Sequence, residues 1–222
     1  MPTRALLIAV AATLVLYIIP YGDYVGYPLV LLSTFAHEMG HGVAAILVGG
    51  DFLSLEMQAD GSGVAYLRVP DARLARVVVS AGGLLGPSVV AAILFSLARR
   101  ARSSRLVLQL AGFASLASAA LVVRGVVGLI VVGVFGAACI LLSRRLSRRA
   151  AQVALAFIAV QLSLSVFSRA DYLFSRTAGS NPSDVAQMAA ALWLPYWFWG
   201  LTCGVLSLLI LGGGLAAFLR GR

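Results

Sequence analysis

Residues 37 to 41 read His37-Glu38-Met39-Gly40-His41, a stretch that contains both histidines of the chain and one of its two glutamates. On a helix, side chains four apart share a face with Cβ atoms about 5–6 Å apart, so the two imidazoles can grip one tetrahedral zinc. Glu38 then stands beside the metal rather than on it. From there it can take a proton from a zinc-activated water whose pKa has been lowered to about 7, which is the chemistry of hydrolysing a polarised carbonyl. The spacing therefore points to His37 and His41 as metal ligands and to Glu38 as the general base.

A catalytic zinc takes three protein ligands, and no third histidine exists. A carboxylate is the expected completion. The candidates are Asp23, Asp51, Glu56, Asp60, Asp71, Asp171 and Asp184. Asp171 is flanked by Arg169 and Arg176, which an ordinary ion pair explains. Asp184 follows Asn181-Pro182-Ser183 directly ahead of the last apolar stretch, where it can be presented to a metal from a helix start. A rival reading makes Asn181 an N-cap, Pro182 the first helical residue and Asp184 a capping group at N3. Asp184 is the favoured ligand and Asp171 the alternative.

The elements that must hold these groups are apolar. Hydrophobic residues make up 61% of the 222-residue chain, charged residues 11%, and the mean hydropathy is +0.98. A soluble domain cannot cover that much apolar surface, so the composition predicts an all-α polytopic membrane protein. Apolar stretches at about 5–20, 28–49, 76–98, 105–123, 125–142, 150–168 and 193–219 each approach the roughly 20 residues needed to cross a ~30 Å core, giving six to seven transmembrane helices. The first lacks a small-residue cleavage site at Ile18-Ile19-Pro20-Tyr21 and reads as a retained span. The histidine motif lies inside the second. Titratable groups in a span cost about 2.5–3.5 kcal/mol each on insertion scales and default to a functional reading.

The formal net charge is +9. The arginines do not form one basic face but punctuate the spans: Arg99, Arg100, Arg102 and Arg105 fill one connection, Arg144, Arg145, Arg148 and Arg149 another, and Arg220 and Arg222 follow the last span. That is positive-inside patterning and argues against nucleic-acid binding. Four spans separate segments 50–75 and 169–192, so both must lie on the same side. Arg4, Arg68, Arg73 and Arg76 oppose the simplest orientation, which leaves absolute topology open. Cys139 and Cys203 fall within apolar spans as small hydrophobes and imply no disulfide framework. One integral membrane domain over 1–222 is expected, with the motif helix at about 28–49, a hairpin at about 51–69 and an Asp-containing segment at about 170–192.

That hairpin is predicted by two alternating runs, Phe52–Met57 and Val64–Val69, around the turn Asp60-Gly61-Ser62-Gly63. Its edge could take an extended substrate by strand addition, which a protease needs because a helical substrate hides its amides. Gly82, Gly83 and Gly86 with Pro87 permit close helix packing and a kink, or a moving gate. Trp193 to Trp199 read as an interfacial aromatic belt or a lateral entrance.

A membrane-embedded HExxH, a Gly-containing hairpin and a late Asp resemble the site-2 protease family of intramembrane zinc metalloproteases, most closely its short bacterial members without a PDZ domain. The resemblance spans roughly residues 28–90 and 170–205. It implies that His37, His41 and Asp184 bind zinc, that Glu38 activates water, that the substrate is a membrane protein, and that the chain is a multi-pass integral protein of a bacterial cell membrane. The family's Asn-x-x-Pro…Asp-Gly element is compressed here to Asn181-Pro182-Ser183-Asp184, with Val185 in place of the glycine. Gly86-Pro87 matches a family element whose following asparagine is replaced at Val89 and Val90. The alternative function is a catalytically silent membrane regulator, or a scaffold retaining the zinc-site fold.

Overall fold

The computed structural model describes residues 2–168, 172–179 and 181–221. Among them the chain forms eight α-helices: α1 Pro2–Ile18, α2 Gly22–Leu47, α3 Arg73–Ala98, α4 Ala101–Leu121, α5 Val126–Arg145, α6 Arg148–Ser168, α7 Asp184–Leu192 and α8 Tyr196–Leu219. All except α1 and α7 are long and apolar enough to cross a membrane. The protein is an all-α polytopic membrane protein with a small sheet. At 17 residues α1 is the shortest of the apolar helices expected to span.

Helix α2 starts six residues before the expected position and runs through Pro28. Proline removes one intrahelical hydrogen bond, a loss that helices in a membrane bundle tolerate because neighbours re-satisfy the freed groups. Its end is sharply defined. Gly49 adopts φ +81°, and the Gly49 and Gly50 amides donate to the Ile46 and Ala45 carbonyls at 3.0 and 2.9 Å, the paired bonds of a Schellman motif. The chain reverses there straight into the hairpin, strands β1 (Asp51–Met57) and β2 (Gly63–Arg68).

β1 and β2 pair antiparallel, Leu55 opposite Ala65 and Met57 opposite Gly63, with a bulge between Phe52 and Ser54. The turn is closed by Asp60, whose carboxylate accepts from the Ser62 amide at 2.9 Å and hydroxyl at 2.6 Å. Those bonds hold the Asp60 carboxyl below its ordinary pKa. The hairpin folds back along α2, because the Thr34 hydroxyl donates to the Gly61 carbonyl at 2.7 Å and Tyr27 donates to Ala59. A third strand, β3 (Val123–Arg124), joins the far edge of β1 in parallel, in the order β2-β1-β3. The Leu55 amide donates to the Val122 carbonyl at 2.8 Å. Two residues between apolar helices carry no alternation to betray a strand, and the sequence reading missed it.

Helix α3 is the hub and packs against α2, α6, α7 and α8. Its contact with α2 is made by glycines. A Cβ on Gly40 would overlap the Gly82 carbonyl and one on Gly86 the Ala36 carbonyl, so the two backbones touch directly. In lipid, where apolar side chains gain nothing by leaving solvent, close backbone approach through small residues is what joins helices.

Candidate metal centre

His37 and His41 sit one turn apart on α2 with ring centroids 4.7 Å apart and planes at 87°. Their Nε2 atoms are 3.1 Å from each other. Asp184 Oδ2 lies 3.2 Å from His37 Nε2 and 3.4 Å from His41 Nε2. Three ligand-type atoms from chain positions nearly 150 residues apart thus form a small triangle. Its sides match the edge of about 3.3 Å expected between donors of a tetrahedral zinc with bonds of about 2.0–2.1 Å. Two imidazoles and a carboxylate also fit that ion chemically.

The His41 ring is fixed from behind. Its Nδ1 lies 2.8 Å from the Val79 carbonyl on α3, which selects the tautomer with Nδ1–H donating and leaves the Nε2 lone pair facing the triangle. This close seat depends on Gly83, since a Cβ there would run into the imidazole. The glycines of α3 were legible in sequence as packing residues. Their service to His41 was not, and neither was the role of Val79, which acts only through its backbone.

Asp184 opens α7, and Ser183 caps that helix by accepting from the Ala186 amide. Asn181 is therefore not the N-cap that the rival reading required. It belongs instead to a two-residue ribbon, β4 (Thr177–Ala178) with β5 (Asn181–Pro182). Extended geometry through Asn181 and Pro182 delays the helix to residue 184 and leaves capping to the serine. Asp184 is 4% exposed, and its Oδ2 faces both imidazoles.

Glu38 is 5% exposed and points into a cleft of about 590 Å³ between the hairpin and the α7 segment. The Ala65 amide of β2 faces its carboxylate. A Cβ on Gly63 would come within 2.8 Å of Glu38 Cγ and Oε1, so this strand lies directly over the glutamate. Gly63, Val64, Ala65 and Leu67 line one wall of the cleft and Asn181, Pro182 and Gln187 contribute to the other. The segments expected to share a membrane face meet here.

Among the described residues the only group of three metal-ligating side chains is His37, His41 and Asp184. Asp51 pairs with Arg68 at 2.9 Å and Asp71 with Arg76 at 2.6 Å. Asp60 serves the hairpin turn, Glu56 lies in β1 and Asp23 in the first turn of α2. Asp171 lies outside the described residues.

A family model described as Peptidase M50B-like matches residues 6–214. The chain belongs to the site-2 protease family. No curated protein and no solved structure matches it. Membership of this membrane metallopeptidase family agrees with the buried two-histidine, one-carboxylate cluster and with the long apolar helices that carry it.

Proposed function

We propose that this site-2 protease family member is an active intramembrane zinc metalloendopeptidase that hydrolyses a peptide bond in or beside the bilayer. The observation that carries the reading is the triangle of His37 Nε2, His41 Nε2 and Asp184 Oδ2, with sides of 3.1, 3.2 and 3.4 Å. When bound, zinc would supply Lewis-acid polarisation of the scissile carbonyl and make water acidic enough to lose a proton near neutral pH.

The remaining work falls to the chain. Glu38 accepts the proton of the attacking water as its oxygen bonds to the carbonyl carbon, then gives that proton to the amine nitrogen as the C–N bond breaks. The Ala65 amide and the van der Waals wall at Gly63 orient the glutamate. The Val79 carbonyl holds His41 in one tautomer. A membrane-protein substrate unwound from its helix would add as an extended strand along β2, whose residues line the cleft beside Glu38. The surrounding environment is the lipid bilayer, proposed to be that of a bacterial cell membrane, and nothing in the charge pattern calls for nucleic acid.

The deciding experiment is Glu38→Gln. The amide keeps the shape but cannot accept a proton, so zinc content should stay at wild-type level while cleavage of a co-expressed membrane substrate disappears. Equal cleavage by the variant and wild type sinks the mechanism. Zinc without cleavage in the wild type, tested against a panel of membrane substrates, would favour the silent regulator.

A further inference from the structure

Ser80 on α3 is 3% exposed and lines the cleft together with His37, Glu38, His41 and Asp184. Its place is fixed from two sides. Gly83, three residues on and therefore on the same helix face, receives the His41 ring. Val77 and Leu84, one turn away in either direction, pack in one cluster with Val185 and Met188 of α7. The serine thus stands where α2, α3 and α7 meet, which is where His37, His41 and Asp184 converge.

A serine inside a helix commonly directs its hydroxyl to the carbonyl four residues earlier, as Ser115 does to Ala111 at 2.9 Å and Ser163 to Ala159 at 2.7 Å. The Ser80 hydroxyl makes no hydrogen bond among the described residues. Buried polar groups in that condition are few in a folded protein, and each calls for a partner from elsewhere. Ser88 on the same helix also lacks one, but its hydroxyl is fully enclosed, whereas Ser80 borders the cleft. The other neutral side-chain donors along the cleft, Ser62, Asn181 and Gln187, are exposed. Two of those are already engaged, Ser62 with Asp60 at 2.6 Å and Gln187 with the Pro182 carbonyl at 3.4 Å. Ser80 is the buried, uncommitted donor beside the triangle.

Hydrolysis of an amide moves negative charge onto the carbonyl oxygen as water adds to the carbon, and a donor already in place stabilises that charge most. Resting on the protease reading, we propose that the Ser80 hydroxyl is this donor and hydrogen-bonds the carbonyl oxygen of the scissile bond. The bond tightens as the C=O double bond opens to a single bond and relaxes when the C–N bond breaks and the carbonyl re-forms. The serine keeps its proton throughout, and the proton of the attacking water goes to Glu38. An interaction that strengthens only in the transition state is felt in kcat and not in KM.

Ser80→Ala, Ser80→Thr, Glu38→Gln and wild type are compared as full chains in detergent. The probes are a membrane substrate that wild type cleaves and a phosphonamidate copy of its cleavage site, whose tetrahedral phosphorus carries the charged oxygen. Ser80→Ala should keep wild-type zinc content and KM, lower kcat about 100-fold, and weaken binding of the phosphonamidate by a similar factor. Added to Glu38→Gln, the same change should leave affinity for the intact substrate unmoved. Ser80→Thr retains the hydroxyl and should recover kcat to within about tenfold of wild type. Wild-type kcat in Ser80→Ala overturns the assignment. So does loss of zinc, or equal weakening of intact substrate and phosphonamidate, since either makes the serine a packing residue. Full cleavage by Ser80→Ala beside an inactive Glu38→Gln defeats this inference alone, while cleavage by Glu38→Gln at the wild-type rate defeats the protease reading itself.

Discussion

At the scale of single residues, His41 is the most constrained group in the site. Its Nδ1 is bonded to Val79, its Nε2 faces His37 and Asp184, and Gly83 backs its ring. Two ligands do not hold zinc firmly, so His37→Ala and His41→Ala should each lose the roughly one equivalent of metal expected in purified wild-type protein, as read by elemental analysis. Asp184 and Ser183 are neighbours with separable duties. Asp184→Asn should lose both zinc and cleavage. Ser183→Ala should keep zinc and cost about 1 kcal/mol of stability, the usual worth of a helix cap. Zinc retained at wild-type level in Asp184→Asn would remove it from the ligand set.

Elements act here by presenting backbone. The α2–α3 contact brings glycine to glycine, and the hairpin brings a strand edge to a glutamate. Gly83→Ala should therefore displace the His41 ring and reduce zinc content, with an overpacking cost of about 1–3 kcal/mol. Gly133→Ala in α5 is the matched control. Nothing lies within 4 Å of the Cβ it would add, and replacing a helical glycine should leave zinc intact and stabilise by roughly 0.5–1 kcal/mol. Gly63→Ala addresses the hairpin separately. Its Cβ would crowd Glu38 and the Thr34 methyl, so cleavage should fall sharply while zinc remains. Full cleavage by that variant would mean β2 does not set the position of the glutamate.

For the whole molecule, the metal would join α2 to α7 and, through Val79, steady both against α3. An ion that binds only the folded state stabilises it by RT ln(1 + [ion]/Kd), about 4 kcal/mol at a thousandfold excess over Kd. Chelation should therefore lower the thermal midpoint in detergent, readily measured by the loss of intrinsic tryptophan signal. The His37→Ala variant should show the lower midpoint already and no further response to chelator. An equal chelator shift in both proteins would place the stabilising ion elsewhere.

Local periodicity made much of this molecule legible in sequence. The 3.6-residue repeat puts positions 37 and 41 on one face whatever surrounds them, apolar run lengths dictate spans, and a glycine-rich turn between alternating runs dictates a hairpin. What had to wait for the tertiary structure is everything that joins distant positions. Sequence offered seven carboxylates as partners for two imidazoles and favoured Asp184 for its place at a helix start and by family resemblance, but spacing along the chain could not show that it returns to α2. That choice follows from how α7 packs on α3, a contact between side chains and backbone surfaces far apart in sequence. The same reason hid the Val79 carbonyl behind His41, the Ala65 amide on Glu38 and the pairing of Leu55 with Val123. Backbone groups are the same at every residue, so only folding decides which of them becomes part of a site.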